Sequence, residues 1–340
     1  MARWPVISQC STASVNLSMN SFSYLGFEFF TVCRENQETV SSFLRKHPQP
    51  LCGYTHATLE AWKAFVSYDR ALSDPKTMLI AYRPIFKDPP ILLQPVGALS
   101  PDFQNRIFHE AETLDNPLKI FGVSSRFLEL HPGFTARFSV REERNYTNYV
   151  YRAEDLAKLN GRKYSKKRNL ISQARNLYSW QVHTLTEDLA DECFAVLESI
   201  QNEENPIIEG MSERELLALE ATLRNFRRLE QQGLLITVDG RPVAFSIFEA
   251  TNSTTATIHF ERALRSYKGL YQIINQETAS VIETQGYEFI NREEDVGDAG
   301  LRAAKLSYHP FELVTTWELT IRTGLFPKNS NSALFTCDGF

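Results

Sequence analysis

The stretch Asn291-Arg-Glu-Glu-Asp-Val-Gly-Asp-Ala-Gly-Leu-Arg-Ala-Ala-Lys-Leu-Ser-Tyr-His-Pro310 sets four acids, an amide, a lysine, a tyrosine and a histidine between two apolar, β-prone runs. Carboxylates beside an ammonium and a phenol can move protons in either direction and bind an anion. Polar groups held at the mouth of a sheet are where α/β proteins meet their ligands. The plain alternative is a solvated loop followed by a surface helix. A loop has little use for Asn291, Lys305, Tyr308 and His309 together with four acids, and this mixture favours a site.

A second stretch, Gly161-Arg-Lys-Tyr-Ser-Lys-Lys-Arg-Asn169, carries five basic residues in nine. The spacing from Lys163 through Lys167 to Leu170 and Ala174 predicts a basic amphipathic helix. Charge runs are commonly solvated, so a linker is one reading. Beside a cleft, clustered lysine and arginine suit phosphates: those of a nucleotide, an RNA acceptor end or a lipid headgroup.

The elements that must position these groups are clearest in the second half. Residues 180–185 alternate as a strand, and Thr186 opens a helix whose buried stripe is Leu189, Cys193, Val196, Leu197 and Ile200. Ser212-Glu-Arg-Glu215 is a capping box for a second helix, with Leu216, Leu219, Leu223, Phe226 and Leu229 inward. Strands at 234–238 and 242–249 meet across Asp239-Gly240, a type I′ signal, and 254–260 pairs next. In that strand His259 and Glu261 alternate with Phe260, which places both on one face. A helix over 269–285, a strand at 287–291, a short helix at 301–307 and a last strand over 311–321 complete the order β-α-α-β-β-β-α-β-α-β.

That order is the GNAT acyltransferase order, a mixed sheet splayed where two central strands part. The first half repeats the rhythm less cleanly. Strands are expected at 22–31, 78–82, 91–94, 118–123 and 134–140, and helices at 35–46, 54–65 and 101–114. The chain therefore divides into a loose tail (1–20), an N-terminal GNAT-like domain (21–155), a C-terminal one carrying the site (156–322) and a second tail (323–340). In such a sheet, amides at the start of the long helix can hold a pyrophosphate, which singles out Lys268 and Gly269. Ser266 and Tyr271 stand where Gln or Arg and a small residue would cradle coenzyme A, and the bulk of Tyr271 argues against that ligand.

At 340 residues with 43% hydrophobic and 12% aromatic content, the chain has material for two packed cores. A net charge of −5 supplies no global field for nucleic acid or anionic membranes, so such partners would need a local patch. Five scattered cysteines, Cys10, Cys33, Cys52, Cys193 and Cys337, lack metal or redox spacing and read as reduced thiols of a cytoplasmic protein. No run reaches the ~18 apolar residues of a membrane span, and no secretory signal is legible.

Together, Tyr164-Ser-Lys-Lys-Arg-Asn169, Tyr267-Lys-Gly269 and the 291–310 motif resemble a bacterial family related to the C-terminal domain of phosphatidylglycerol lysyltransferase, over roughly residues 20–322. The resemblance implies an α/β class with mixed sheets in a tandem GNAT-like fold, shared with Fem-type peptidoglycan aminoacyltransferases. It also implies transfer of an aminoacyl group from charged tRNA to an amine or hydroxyl on a lipid headgroup, a peptide or a small molecule. This sequence has no counterpart of the lysyltransferases' membrane-embedded half.

Within that frame the expected catalytic set is His259, Glu261, Glu294, Lys305 and Tyr308. Glu261 or Glu294 would accept a proton from an incoming amine, Lys305 would neutralise a carboxylate or phosphate, and Tyr308 would donate to a leaving 3′-oxygen. The structural alternatives are a Lys305–Asp295 bridge and a satisfied core histidine at 259. The expected binding set is Lys163, Lys166, Lys167, Arg168, Asn169, Lys268, Gly269, Asn291 and Asp295, with Asp295 and Asp298 also capping the short helix. No metal or redox cofactor is required. The donor is expected to be aminoacyl-tRNA before acyl-coenzyme A; a GNAT-like binding module without catalysis is the rival from another class.

Overall fold

The computed structural model describes residues 21–64, 66–74, 76–84, 89–203 and 213–322. Both expected tails, with Cys10 and Cys337, and Ser212 of the expected capping box lie outside the described residues. The first half contains β1 (Ser21–Tyr24), β2 (Phe27–Thr31), α1 (Gln37–Lys46), α2 (His56–Ala61), β3 (Val66–Asp74) and β4 (Thr77–Pro84). It continues with β5 (Ile91–Leu93), β6 (Val96–Gly97), α3 (Pro101–Ala111), β7 (Lys119–Ser124), α4 (Ser125–Leu130), α5 (Pro132–Thr135) and β8 (Phe138–Glu142). Then come β9 (Asn148–Arg152), α6 (Ala153–Lys158), α7 (Ser165–Leu177), β10 (Trp180–Thr184), α8 (Ala190–Asn202) and α9 (Glu213–Arg224). The last part holds β11 (Gln232–Val238), β12 (Arg241–Ala250), β13 (Thr255–Ala263), α10 (Leu270–Thr284) and β14 (Phe289–Asn291). After it follow α11 (Ala299–Leu306), β15 (Glu312–Val314) and β16 (Thr316–Ile321).

These form two mixed sheets. One runs β1-β2-β3-β4-β5-β7-β16-β8, with β6 on β4; the other runs β10-β11-β12-β13-β14-β9-β15. The second sheet is thus the unbroken run β9–β15, and the first sheet gains one strand, β16, from the end of the described chain. The expected single strand over 311–321 is broken at Thr315: β15 pairs with β9 in the second sheet, and β16 enters the first between β7 and β8. The chain passes the other way between β8 and β9. The two crossings are tied where they meet, Thr316 Oγ1 donating to the Tyr146 carbonyl at 2.6 Å and Glu143 N to the Thr316 carbonyl at 2.8 Å. A boundary at 155 therefore does not separate the two sheets, because strand pairing is set by partners far away in sequence.

Local signals explain most elements. Asp239 and Gly240 take positive φ, as a type I′ turn requires, and join β11 to β12. Two expectations differ. Residues 22–31 form a hairpin rather than one strand, since Leu25 and Gly26 both take positive φ. Phe134 sits in the helical turn α5, opened by Pro132, before β8 begins at Phe138. The second sheet buries one face under α6, α7 and α10, with Ile258, Ile273 and Ile290 in that core. Its other face packs Phe245, Ile247 and Phe260 against α8 and α9.

Candidate active site

The site grows from a parting of strands. Parallel pairing of β13 with β14 extends only over Thr255–Thr257 and Phe289–Asn291. Beyond it the strands separate, and side chains bridge the gap: His259 to Glu293 at 2.7 Å and Arg292 to Glu261 at 2.8 Å. His259 and Glu261 do not share a face as strand alternation predicted. The register between β12 and β13 shifts at Ile247/Phe248, leaving an extra residue in β13. Across this bulge Phe260 joins the α8–α9 core, whereas Glu261 turns to the α10 side and accepts from Asn275 Nδ2 at 3.3 Å. A bulge re-aims side chains in this way because it breaks the two-residue period.

His259 stands between two carboxylates, its Nε2 2.9 Å from Glu249 Oε1 and its Nδ1 2.7 Å from Glu293 Oε1. Burial opposes its charge, but the hydrogen bonds to Glu249 and Glu293 outweigh burial and push its pKa up to about 10. It is therefore an imidazolium at neutral pH, a fixed cation rather than a base. Glu249 also accepts from Thr55 Oγ1 of the first half at 2.5 Å.

Glu294 is held differently. Its Oε2 receives only long bonds, from Asn148 Nδ2 at 3.3 Å and Cys52 Sγ at 3.4 Å. Burial and the adjacent Glu293 charge raise its pKa to about 7, with Lys305 acting in the opposite direction. Burial, assisted by Arg292, lowers Lys305 to about 8. The Lys305 ammonium does not bridge to Asp295. It donates to the carbonyls of Arg292 and Glu294, both at 2.5 Å, and so closes the loop on itself.

Asp295 is wholly buried and engages Arg302 Nε and Nη2, Arg144 Nη1 and Tyr149 OH. Burial works against its charge, but these donors and the Gly297 amide hold it well below the usual carboxylate range. Asp298 alone caps α11, through Leu301 N at 2.6 Å. Asn291 is structural: its Nδ2 donates to Asn148 Oδ1 at 2.9 Å, and its Oδ1 receives the amide of Glu293 at 2.8 Å. That second bond steadies Glu293 in a left-handed conformation, φ 58°.

Tyr308 is buried, and its carbonyl accepts from Tyr164 OH at 2.9 Å. Burial lifts its phenol to about 12. Lys167 lies 4.0 Å above its ring and donates to Ser307 Oγ at 2.7 Å, which brings the basic helix to the end of the polar loop. The other basic residues are dispersed. Arg168 spends its guanidinium on the carbonyls of Leu159 and Gly161, and Lys163 pairs with Asp155 at 3.1 Å. Lys166 and Asn169 are exposed on α7.

Lys268 is exposed, and its carbonyl accepts from Tyr178 OH. Gly269, at φ 87°, begins α10 so close to α7 that an added Cβ would stand 2.6 Å from the Leu170 carbonyl oxygen. Helix packing, rather than a ligand, accounts for this glycine. The five expected catalytic residues thus fall into two linked groups: His259, Glu294 and Lys305 on one side, Glu261 and Tyr308 on the other, with Arg292 between them. Glu249, Glu293, Thr55, Cys52 and Asn148 were not singled out from sequence. Glu293 lies within the acidic stretch 291–310, but nothing local marks the other four, because each acts through a partner far along the chain.

The family model described as "Phosphatidylglycerol lysyltransferase, C-terminal" matches residues 52–318, and the chain belongs to this family. No curated protein matches it. Among solved structures it is similar to a conserved protein of unknown function from Bacteroides thetaiotaomicron, with 29% identity, TM-score 0.78, and coverage of 86% of this chain and 99% of that one. It is also similar to L-PGS from Bacillus licheniformis, with 12% identity, TM-score 0.58, and coverage of 86% and 93%. FemX is a third, with 11% identity, TM-score 0.57, and coverage of 84% and 96%. The fold is tandem GNAT-like, as expected. Among the described residues no helix is long and apolar enough to cross a membrane.

Proposed function

We propose that this member of the lysyltransferase C-terminal family moves an aminoacyl group from a charged tRNA to an amine or hydroxyl acceptor. The observation that carries the reading is the pairing of Glu294 and Lys305 on one loop, with pKa values of about 7 and 8. A carboxyl held near neutral pH, on a backbone that the lysine fixes, is what general-base chemistry needs, and it occurs here in a family whose name is that of a transferase.

In this reading Glu294 takes the proton of the attacking amine or hydroxyl. The nucleophile bonds to the aminoacyl carbonyl carbon, the ester bond to the tRNA 3′-oxygen breaks, and the departing oxygen receives a proton from Tyr308. Lys305 is a positioning residue that fixes the Arg292 and Glu294 carbonyls. Positioning of this kind, with charge held in a partly dry site, supplies the rate without a metal or redox cofactor. Lys166 and Lys167 would meet the phosphates of the donor's acceptor end.

An acyl-coenzyme A donor is the weaker reading, since Gly269 is explained by packing against Leu170. The test is to incubate the chain with tRNA carrying a labelled amino acid, together with phospholipid and peptide acceptors. Label should move to an acceptor, Glu294→Gln should stop it with the fold intact, and acetyl-coenzyme A should not substitute. Transfer that is equally fast with Glu294→Gln and Tyr308→Phe would remove both residues from the chemistry. Release of label from acetyl-coenzyme A alone would replace the donor.

A further inference from the structure

The turn that joins β13 to α10 holds an anion, and the anion is one of the protein's own carboxylates. Arg265 N donates to Glu203 Oε2 and Ser266 N to Glu203 Oε1, each at 3.0 Å. The Ser266 hydroxyl donates to the same Oε1 at 2.6 Å. Successive backbone amides aimed at one point form a seat for an anion, and the positive end of the helix that follows adds to it.

The carboxylate does not belong to the turn. Glu203 ends α8 as its C-cap, its own amide donating to the carbonyls of Ser199 and Ile200 at 3.2 Å each. It lies 62 residues before Arg265, so only the tertiary fold brings it there. Burial opposes its charge, but the Ser266 hydroxyl and the two amides outweigh burial and hold the carboxyl below its usual range. At neutral pH the seat is therefore filled by a full negative charge.

Its location gives the contact a consequence. In a sheet of this order the amides of this turn can receive a pyrophosphate. Like a phosphate, a carboxylate presents two oxygens from one central atom, and here both are engaged by the turn. An incoming diphosphate would find its donors taken and a like charge beside it. Without Glu203 the turn would keep two amides, a hydroxyl and, two residues beyond Ser266, the exposed Lys268.

We propose that Glu203 is a built-in plug of this anion seat and a specificity-determining residue, which keeps diphosphate-bearing acyl donors off the start of α10. The donor clause rests on the transfer reading and says how one class of donor is refused. The plug itself is a matter of binding and is tested without any transfer, so the two can fail separately.

The experiment follows the Arg265 and Ser266 amide signals of the isotope-labelled full chain by NMR at pH 7.5, during titration with inorganic pyrophosphate or coenzyme A. In Glu203→Ala, pyrophosphate should shift both amides saturably with a Kd on the order of 1 mM, and the native chain should bind at least about tenfold more weakly. Coenzyme A should follow pyrophosphate in the variant. Glu198→Ala removes the same charge from an exposed position of the same helix but leaves the seat filled, and should behave as the native chain does. Pyrophosphate binding as tight in the native chain as in Glu203→Ala, or undetectable in both, would overturn the plug. An equal gain in Glu198→Ala would reduce it to bulk charge. A gain for pyrophosphate without one for coenzyme A would overturn the donor clause. If Glu203→Ala does not fold, Glu203→Gln, uncharged and nearly the same in shape, decides in its place, with a gain of at least about threefold expected.

Discussion

Lys305 lies eleven residues beyond Glu294, and its ammonium returns to within 2.5 Å of the Glu294 carbonyl oxygen. The lysine therefore supports the backbone that presents the carboxylate. Lys305→Met would leave two carbonyls without a donor and should destabilise the chain by about 2–3 kcal/mol, measured by urea unfolding. Glu294→Gln should behave in the opposite way. The folded pKa of about 7 lies above the unfolded value of ~4.3. Its stabilising contribution is thus complete below pH ~4.3 and lost as pH rises through 7. At pH 8 the glutamine variant should unfold no earlier than the native chain while losing transfer activity. Equal loss of stability in both variants would make the pair purely structural.

Asp295 should carry the acid sensitivity of the loop. Its folded pKa is depressed, so its contribution is present above the unfolded value of ~3.9 and disappears as pH falls towards the folded one. Asp295→Asn leaves Arg144 and Arg302 without their buried anion and should cost about 3 kcal/mol at pH 7. The difference from the native chain should shrink below pH 4. A gap unchanged between pH 7 and pH 3 would assign the defect to packing rather than charge.

Gly269→Ala tests whether that glycine serves helix packing. The left-handed conformation alone costs an alanine about 1–2 kcal/mol. The Leu170 carbonyl, 2.6 Å from the added Cβ, must also move. Gly161→Ala is the control, since Gly161 has φ 86° but nothing within 4 Å of its Cβ. Gly269→Ala should lower the unfolding midpoint more than Gly161→Ala does. Equal effects would dismiss the contact between α7 and α10 as a constraint.

The basic helix should divide by function. Lys166→Ala and Lys167→Ala together should weaken tRNA binding and flatten its salt dependence by about 0.7–0.9 log units per lost phosphate contact. Arg168→Ala should leave that slope alone and lower stability instead, because its guanidinium holds the carbonyls of Leu159 and Gly161. A slope that responds to Arg168 and not to Lys167 would reverse the assignment.

Much of the architecture was legible in sequence because it depends on near neighbours. The Asp239-Gly240 turn, the apolar stripe of α10 and the amphipathic spacing of α7 are set by residues a few positions apart. The polar loop was recognisable for the same reason: its acids, lysine and tyrosine are close together in the chain. The strands β3 and β9 were missed, and β9 is the central partner of both β14 and β15.

By itself the sequence determined most helices and strands of the second half, where that half turns, and that residues 291–310 concentrate ionisable groups. Tertiary structure decided how those groups are used. The bulge in β13 sends His259 and Glu261 to opposite faces, and Thr55, 194 residues from Glu249, completes the carboxylate that holds His259. The insertion of β9 between β14 and β15 brings Asn148 beside Asn291 and Glu294. Periodicity records only which side of its own element a residue faces. The partner across the gap, and with it the charge a buried group can keep, is fixed when distant strands pair and exclude water from between them.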